Sequence, residues 1–279
     1  MQSPYGFESS ESCQSCIFRQ NGFFCQLSPG ELKDFDAIKH IATYPADAIL
    51  FMEQQRSRGI YFLCEGQVKL SFTSSRGKTL ILRIAKPGEV LGLLSALSGN
   101  PYEVMTAATL RPCQVAFVSN NDFQKFLRKH PTVFERVASQ LGWQYKAACE
   151  QLSAVGLGSS VVERVAKFLL NWSVDGGTPG NGNRFTLSLT HEEIAECIGT
   201  TRESVTRTMG EFRSRGLIES HGSTFVIADR AALQEFHVRP ASPQEEDPRL
   251  ARLTPIRRGH SPEIPRSLWK RVASGGKSA

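Results

Sequence analysis

The sequence predicts an α+β protein: an N-terminal jelly-roll β-roll, a long helix, and a C-terminal winged helix-turn-helix. Three observations predict it. Period-two apolar alternation dominates residues 44–118, and an apolar stripe at spacings of three and four runs through 121–155. A helix, a glycine-bearing turn and a second helix are legible within 189–216. The composition, 40% hydrophobic and 22% charged, is that of a folded chain. Its 279 residues suffice for one or two domains with cores of their own. No window approaches the run of about 18 apolar residues that a membrane helix needs. The polar segment Met1–Ser12 has neither the basic nor the apolar region of a secretory signal. A cytoplasmic protein with no membrane partner is therefore expected. Seven cysteines, an odd number in a reducing compartment, argue against a disulfide framework and raise metal or redox roles.

The elements follow in order. Residues 1–30 form a polar, cysteine-bearing arm, and 31–120 a β-roll sensor domain. Strands are expected at Ala48–Phe51, Ile60–Cys64, Val68–Phe72, Thr79–Ile84 and Cys113–Val118. Val68, Leu70 and Phe72 alternate with polar residues, as do Leu80, Leu82 and Ile84, the mark of half-buried strands. Gly59, Gly66, Gly77, Gly88, Gly92 and Gly99 punctuate the runs as turns of an antiparallel sandwich would. Residues 121–158 read as one long helix, with Val137, Leu141, Tyr145, Ala148, Leu152 and Val155 as a narrow stripe. A stripe that narrow and long suits a two-stranded dimer seam better than packing on its own sheet.

Residues 159–238 form the next domain. Ser160–Trp172 is amphipathic, and Asp175–Asn183 is a loop. From 239 to 279, Pro, Ser and Arg dominate without periodicity, so this basic tail reads as disordered. Residues 240–279 hold eight Lys/Arg against four Asp/Glu, which accounts for +4 of the net +6. The charge of the folded part is therefore small, and nucleic-acid binding must be argued from a motif.

That motif lies in Leu189–Ile227. Thr190 and Glu193 have the spacing of a capping box, which starts a short helix with Ile194, Ala195 and Ile198 inward. Gly199-Thr200 breaks it, and Thr201 caps a second helix, Arg202–Arg215. At about 100° per residue, Val205, Thr208, Met209 and Phe212 share one side, and Arg202, Glu203, Thr206 and Arg207 the other. Arg offers a fork to guanine, Glu an acceptor to cytosine, and the Thr206 methyl a surface for a thymine methyl. Ser204 lies among them. The stretch from Gly216 reads as a hairpin wing with Gly222 at the turn. The same residues also suit an ordinary solvated helix face. Four Arg are offset by five Glu across 190–216, so local geometry rather than bulk charge must place phosphates.

Thr201-Arg-Glu-Ser-Val-Thr-Arg207, after Ile198-Gly-Thr200, resembles the recognition helix of the CRP/FNR superfamily of bacterial transcription regulators. The order of β-roll, long helix and winged helix-turn-helix agrees over roughly 13–236. The resemblance implies a homodimer with double-stranded DNA and RNA polymerase as partners. It implies base contacts from Arg202, Glu203, Ser204, Thr206 and Arg207 on a palindrome of TGTGA- or TTGAT-like half-sites. It further implies a β-roll of the cyclic-nucleotide-binding kind, in which Pro87–Gly92 opens the phosphate cassette. Where nucleotide-binding members carry an Arg-Ser/Thr pair, Gly99–Met105 has no Arg, and Glu103 would repel a phosphate. Cyclic nucleotide is therefore not expected, and Glu89 and Gly92 read as turn residues.

The cysteines offer another signal. Cys13-x2-Cys16-x8-Cys25 resembles the N-terminal triplet of the superfamily's oxygen sensors, with a longer second gap. Those members take a fourth cysteine from the β-roll, at about the place of Cys113. Cluster-free members carry a cysteine there too. The resemblance thus makes Cys13, Cys16, Cys25 and Cys113 a candidate ligand set for a [4Fe–4S] cluster. The alternatives are a closed zinc site or a thiol/disulfide switch on the same residues, or no metal role, with a small ligand or cyclic nucleotide in the β-roll as the signal. Cys64, Cys149 and Cys197 read as core cysteines and His191 as a surface residue. No enzyme is expected: the CxxC pair precedes strands rather than opening a helix in a βαβ unit, and no phosphate loop is present.

Overall fold

The computed structural model describes residues 5, 7, 13, 27–157, 160–176 and 183–238. Cys16, Cys25 and the 239–279 tail lie outside the described residues. The β-roll is opened by a helix that the sequence reading missed, α1 (Pro29–Asp36), capped by a reciprocal Ser28–Glu31 box. Its strands are β1 (His40–Tyr44), β2 (Ile49–Phe51), β3 (Gly59–Glu65), β4 (Val68–Thr73) and β5 (Thr79–Ala85). Then come β6 (Val90–Leu91), a short helix α2 (Leu93–Leu97), β7 (Thr106–Thr109) and β8 (Cys113–Ser119). They form two antiparallel four-stranded sheets, ordered β1-β8-β3-β6 and β2-β7-β4-β5.

All five expected strands are present. The three missed ones are short or lack alternation: β6 has two residues, and β7 is Thr-Ala-Ala-Thr. Strand β3 is buried on both faces. Tyr61 and Leu63 join Leu50, Val68, Leu70 and Val115 between the sheets. Ile60 and Phe62 pack outward under Leu32, Phe35, Phe123, Phe126 and Val137 of the covering helices. Each such buried side chain contributes about 1.5–3 kcal/mol relative to exposure.

The single long helix is in fact two. Helix α3 (Asn120–Lys129) stops before α4 (Thr132–Gly156). Pro131 disfavours a helical residue ahead of it, and His130 adopts φ −125°, ψ 74°. Beyond α4 come α5 (Val161–Gly176), β9 (Arg184–Thr186), α6 (His191–Ile198) and α7 (Arg202–Ser214). The hairpin β10 (Ile218–His221) and β11 (Thr224–Ile227) follows, then α8 (Arg230–Val238). The wing is a three-stranded sheet, β10-β11-β9, in which Phe225 faces Phe185. Strand β9 and helix α8 were not foreseen. Leu233 of α8 is fully buried in the recognition unit's core, and Phe236 lies against Phe212.

Helix α4 carries two apolar stripes, and the expected seam mixed them. Val137 is only 3% exposed and belongs to the core under the β-roll, with Val133 and Gln140 beside it. Leu141 is partly buried against the same core. The outward stripe is Phe134, Ala138, Leu141, Tyr145, Ala148 and Leu152, an unbroken four-three heptad spacing. Tyr145 is 74% and Leu152 61% exposed. Val137 therefore leaves the seam, because it lies one residue out of that register. Val155 keeps the register but is half-buried beside Gly199 of the same chain. Phe134 and Ala138 were missed because a polar pair, Glu135-Arg136, separates Phe134 from the stripe that the sequence showed.

Candidate nucleic-acid interface and sensor

The recognition unit is built as its caps predict. Thr190 and Glu193 cap α6 reciprocally, and Thr201 accepts from the Ser204 amide to cap α7. Between them Gly199 takes φ 66°, and a Cβ there would stand 2.6 Å from Val155 Cγ1. Glycine is thus required twice, by the left-handed turn and by the approach to α4. Val205, Thr208, Met209 and Phe212 are all buried, so the inner face of α7 is fixed by packing.

Arg202, Glu203, Thr206 and Arg207 are exposed on the opposite face. Among the described residues, no ion pair engages Arg202 or Arg207. The Glu203 carboxyl is held below its usual range by its own amide and the Thr201 hydroxyl. It stays an ionised acceptor at neutral pH. Thr206 is different. Its hydroxyl donates to the Arg202 carbonyl at 2.9 Å and lies 2.8 Å from His191 Nδ1. Ser204 lies at the edge of the face, half-buried, its Oγ accepting from Thr201 at 3.2 Å. It belongs to the cap rather than to the outward row.

Four further ties escaped the sequence reading. His191, half-buried rather than a plain surface residue, ties α6 to α7. Burial, then Arg213 and Arg202 nearby, push its pKa down. Arg213 reaches Ser220 of the wing at 3.3 Å. Lys69 of β4 pairs with Glu193 at 3.0 Å, so the capping residue also ties the unit to the β-roll. Burial opposes ionisation of Glu193. The Thr190 amide and Lys69 outweigh it and hold the carboxyl below its usual range. Gln151 of α4 donates to the carbonyls of Ile81 and Cys197, joining β5 to α6. Only the short capping spacing was visible in sequence. The rest join residues from 7 to 124 positions apart.

In the β-roll, Glu89 is held by its own surroundings: it accepts from the Lys86 amide at 2.9 Å and pairs with Arg83. Gly92 starts α2 with φ 81°. Glu103 is 2% exposed. One carboxyl oxygen accepts from Ser95 at 2.7 Å, and the other has no hydrogen-bond partner among the described residues. Burial pushes its pKa up, against the Ser57 and Ser95 hydroxyls.

Two of the four candidate ligand cysteines are described. Cys13 packs at the edge of the helix-covered core, its sulfur 3.1 Å from Lys39 Nζ. Burial pushes its thiol up, against the lowering effect of Lys39. Cys113 belongs to the other core cluster, between the sheets, and is fully buried. Its thiol donates to the carbonyls of Gln67 and Arg111 at 3.3 and 3.1 Å, and burial pushes its pKa up. A Cβ on Gly66 would overlap its sulfur. The described residues contain no cluster of three or more metal-ligating side chains. Cys197 is buried, its thiol pushed up to about 12 by burial, and Cys64 is half-buried. Cys149 corrects the core expectation: it is exposed on α4.

Comparison with known proteins agrees with this architecture. Residues 41–130 match the cyclic nucleotide-binding domain family, and 163–236 the Crp-like helix-turn-helix domain. The chain is 24% identical over 188 residues to the cAMP-activated global transcriptional regulator CRP of Salmonella typhimurium, covering 67% of this chain and 89% of that one. It is 25% identical over 218 residues to a CRP-like cAMP-activated global transcriptional regulator of Mycobacterium tuberculosis, covering 78% and 96%. Among solved structures, FixK2 from Bradyrhizobium japonicum shares the fold, with TM-score 0.64 and 20% identity over 73% of this chain and 100% of that one. A β-roll with a winged helix-turn-helix behind it defines a DNA-binding transcription regulator. The chain belongs to the CRP/FNR family of such regulators. Among the described residues, no helix is long and apolar enough to cross a membrane.

Proposed function

We propose that the chain acts as a homodimer reading a two-fold symmetric DNA site through α7, with RNA polymerase as a further partner. The carrying observation is the pair of exposed guanidiniums, Arg202 and Arg207, without an ion pair among the described residues, flanking an ionised Glu203 on a helix whose other face is fully packed. That row suits guanine and cytosine edges, with the Thr206 methyl for thymine. The outward stripe from Phe134 to Leu152 supports pairing of α4 with its copy. The test is selection from a pool of random duplexes. The expected product is a palindrome with TGTGA- or TTGAT-like half-sites about 10 base pairs apart, centre to centre. An asymmetric product, or no enrichment, would overturn the reading.

Two signals compete for the sensor. A cyclic nucleotide does not fit: its phosphate would meet the buried Glu103 rather than a cation. A [4Fe–4S] cluster on Cys13, Cys16, Cys25 and Cys113 draws its support from the cysteine spacing. Cys113 is fully buried between the sheets and Cys13 lies against the other core cluster, so the support rests on the sequence spacing alone. Iron, sulfide and zinc analysis of anaerobically purified protein separates the cases. About four iron and four sulfide per chain establish the cluster, and iron-free colourless protein removes it. Zinc without iron points to a closed thiolate site.

A further inference from the structure

One feature with no part in the reading above is a cavity of about 640 Å³ where β5, α4, α5 and α6 meet. Its size is that of a small-molecule site. Its walls are mostly apolar, and aromatic rings shape it. Trp143 stands on the α4 side, with the Arg83 guanidinium 5.4 Å from its ring centre. Phe168 and Trp172, one turn apart on α5, lie 5.5 Å centre to centre and tilted by 31°. The Trp172 indole N–H is already engaged by the Thr186 carbonyl, so that ring is fixed in place.

The polar groups in this cavity are unevenly matched. Arg83 is paired with Glu89, and Glu150 faces Lys146. Arg164 and Lys167 have no ion pair among the described residues, and Arg164 Nε is buried without a hydrogen-bond partner. A buried guanidinium N–H without an acceptor is costly, and an anionic oxygen supplied from outside removes that cost. Flat aromatic walls with cations beside them suit a planar ring carrying a negative group.

We propose that this cavity is a binding site for a small aromatic anion, such as a ring carboxylate or sulfonate. Its acidic group meets Arg164 and Lys167, and its ring lies among Trp143, Phe168 and Trp172. The site is distinct from the β-roll interior where Glu103 lies. One wall is β5 and another is the end of α6, so an occupant touches sensor and recognition unit at once. A molecule that fits this arrangement better than any other favours it by that difference in affinity.

The test uses the full chain and anilinonaphthalene sulfonate as probe. The expected result is saturable binding of one probe per chain, with transfer of excitation from tryptophan to the probe. Arg164→Met weakens it about tenfold or more, and Ala154→Trp, which crowds the cavity with another ring, weakens it at least as much. Absence of saturable binding to the unaltered chain overturns the proposal, as does affinity left unchanged by either substitution. If Ala154→Trp lowers the unfolding midpoint, Lys167→Met is read in its place, with the same weakening expected. These readouts need no DNA, so their failure is separable from failure of the DNA-binding reading.

Discussion

Around α7, charged side chains stand in solvent while every apolar neighbour is locked; in the β-roll, a carboxyl is locked in the interior. Arg202 and Arg207 are exposed and unpaired among the described residues, whereas Glu103 is buried with one oxygen unpartnered. The first arrangement costs little in the free protein and leaves the charges ready for a ligand. The second carries a desolvation penalty in the free protein and turns away an anion. The contrast teaches where this molecule keeps its recognition chemistry. The face proposed to read DNA is a prepared, charged surface, and the β-roll interior holds a buried acid.

The comparison breaks most visibly if the packed side of α7 is removed. Phe212→Ala should cost about 3–5 kcal/mol, since the ring is fully buried against Phe236 and the wing core. Urea unfolding would show it, and a loss below about 1 kcal/mol would mean the inner face is not what holds the helix. Arg207→Ala should instead leave stability unchanged and cost about 1–3 kcal/mol at the cognate site. The seam gives a third effect: Tyr145→Asp puts a charge in the middle of the outward α4 stripe, and sedimentation should show a monomer.

Smaller effects sharpen the electrostatic side. The folded pKa of Glu103 is raised, so folding favours its protonated form. That contribution is full below 4.5 and is lost as pH rises through the raised value. Glu103→Gln should therefore raise stability at neutral pH, and the gain should vanish as pH falls below 4.5. Equal midpoints for both proteins at neutral pH would show that the acid carries no penalty. Glu193 has the opposite sign. Its folded pKa is lowered, so its contribution is present above 4.5 and is lost as pH falls through the lowered value. Lys69→Met should cost about 1 kcal/mol and flatten that acid limb, read from unfolding midpoints between neutral and acid pH.

How much was legible follows the range of the interactions. The caps at Thr190 and Thr201, the turn at Gly199 and the two faces of α7 were readable, because each is set within about four residues. The strands were readable where alternation was clear, as in Val68–Thr73, and lost where they are short, as in Val90–Leu91. The seam was half legible. A helix with one stripe inward and one outward shows a merged apolar band in sequence, and only packing assigns Val137 to the first and Phe134 to the second. The ties from Lys69 and Gln151 span 124 and up to 70 residues, and no local pattern announces them.

The central claim is that α7 reads bases, and Arg207 tests it most directly. Binding of the unaltered chain and of Arg207→Ala would be measured across every single base-pair variant of the selected palindrome, at one fixed salt concentration. The account predicts a loss of about 1–3 kcal/mol on the cognate site, with discrimination relaxed at one position in each half-site and retained elsewhere. Unchanged preference at every position, or a uniform weakening across all sequences, would contradict it and make Arg207 a phosphate contact or no contact at all.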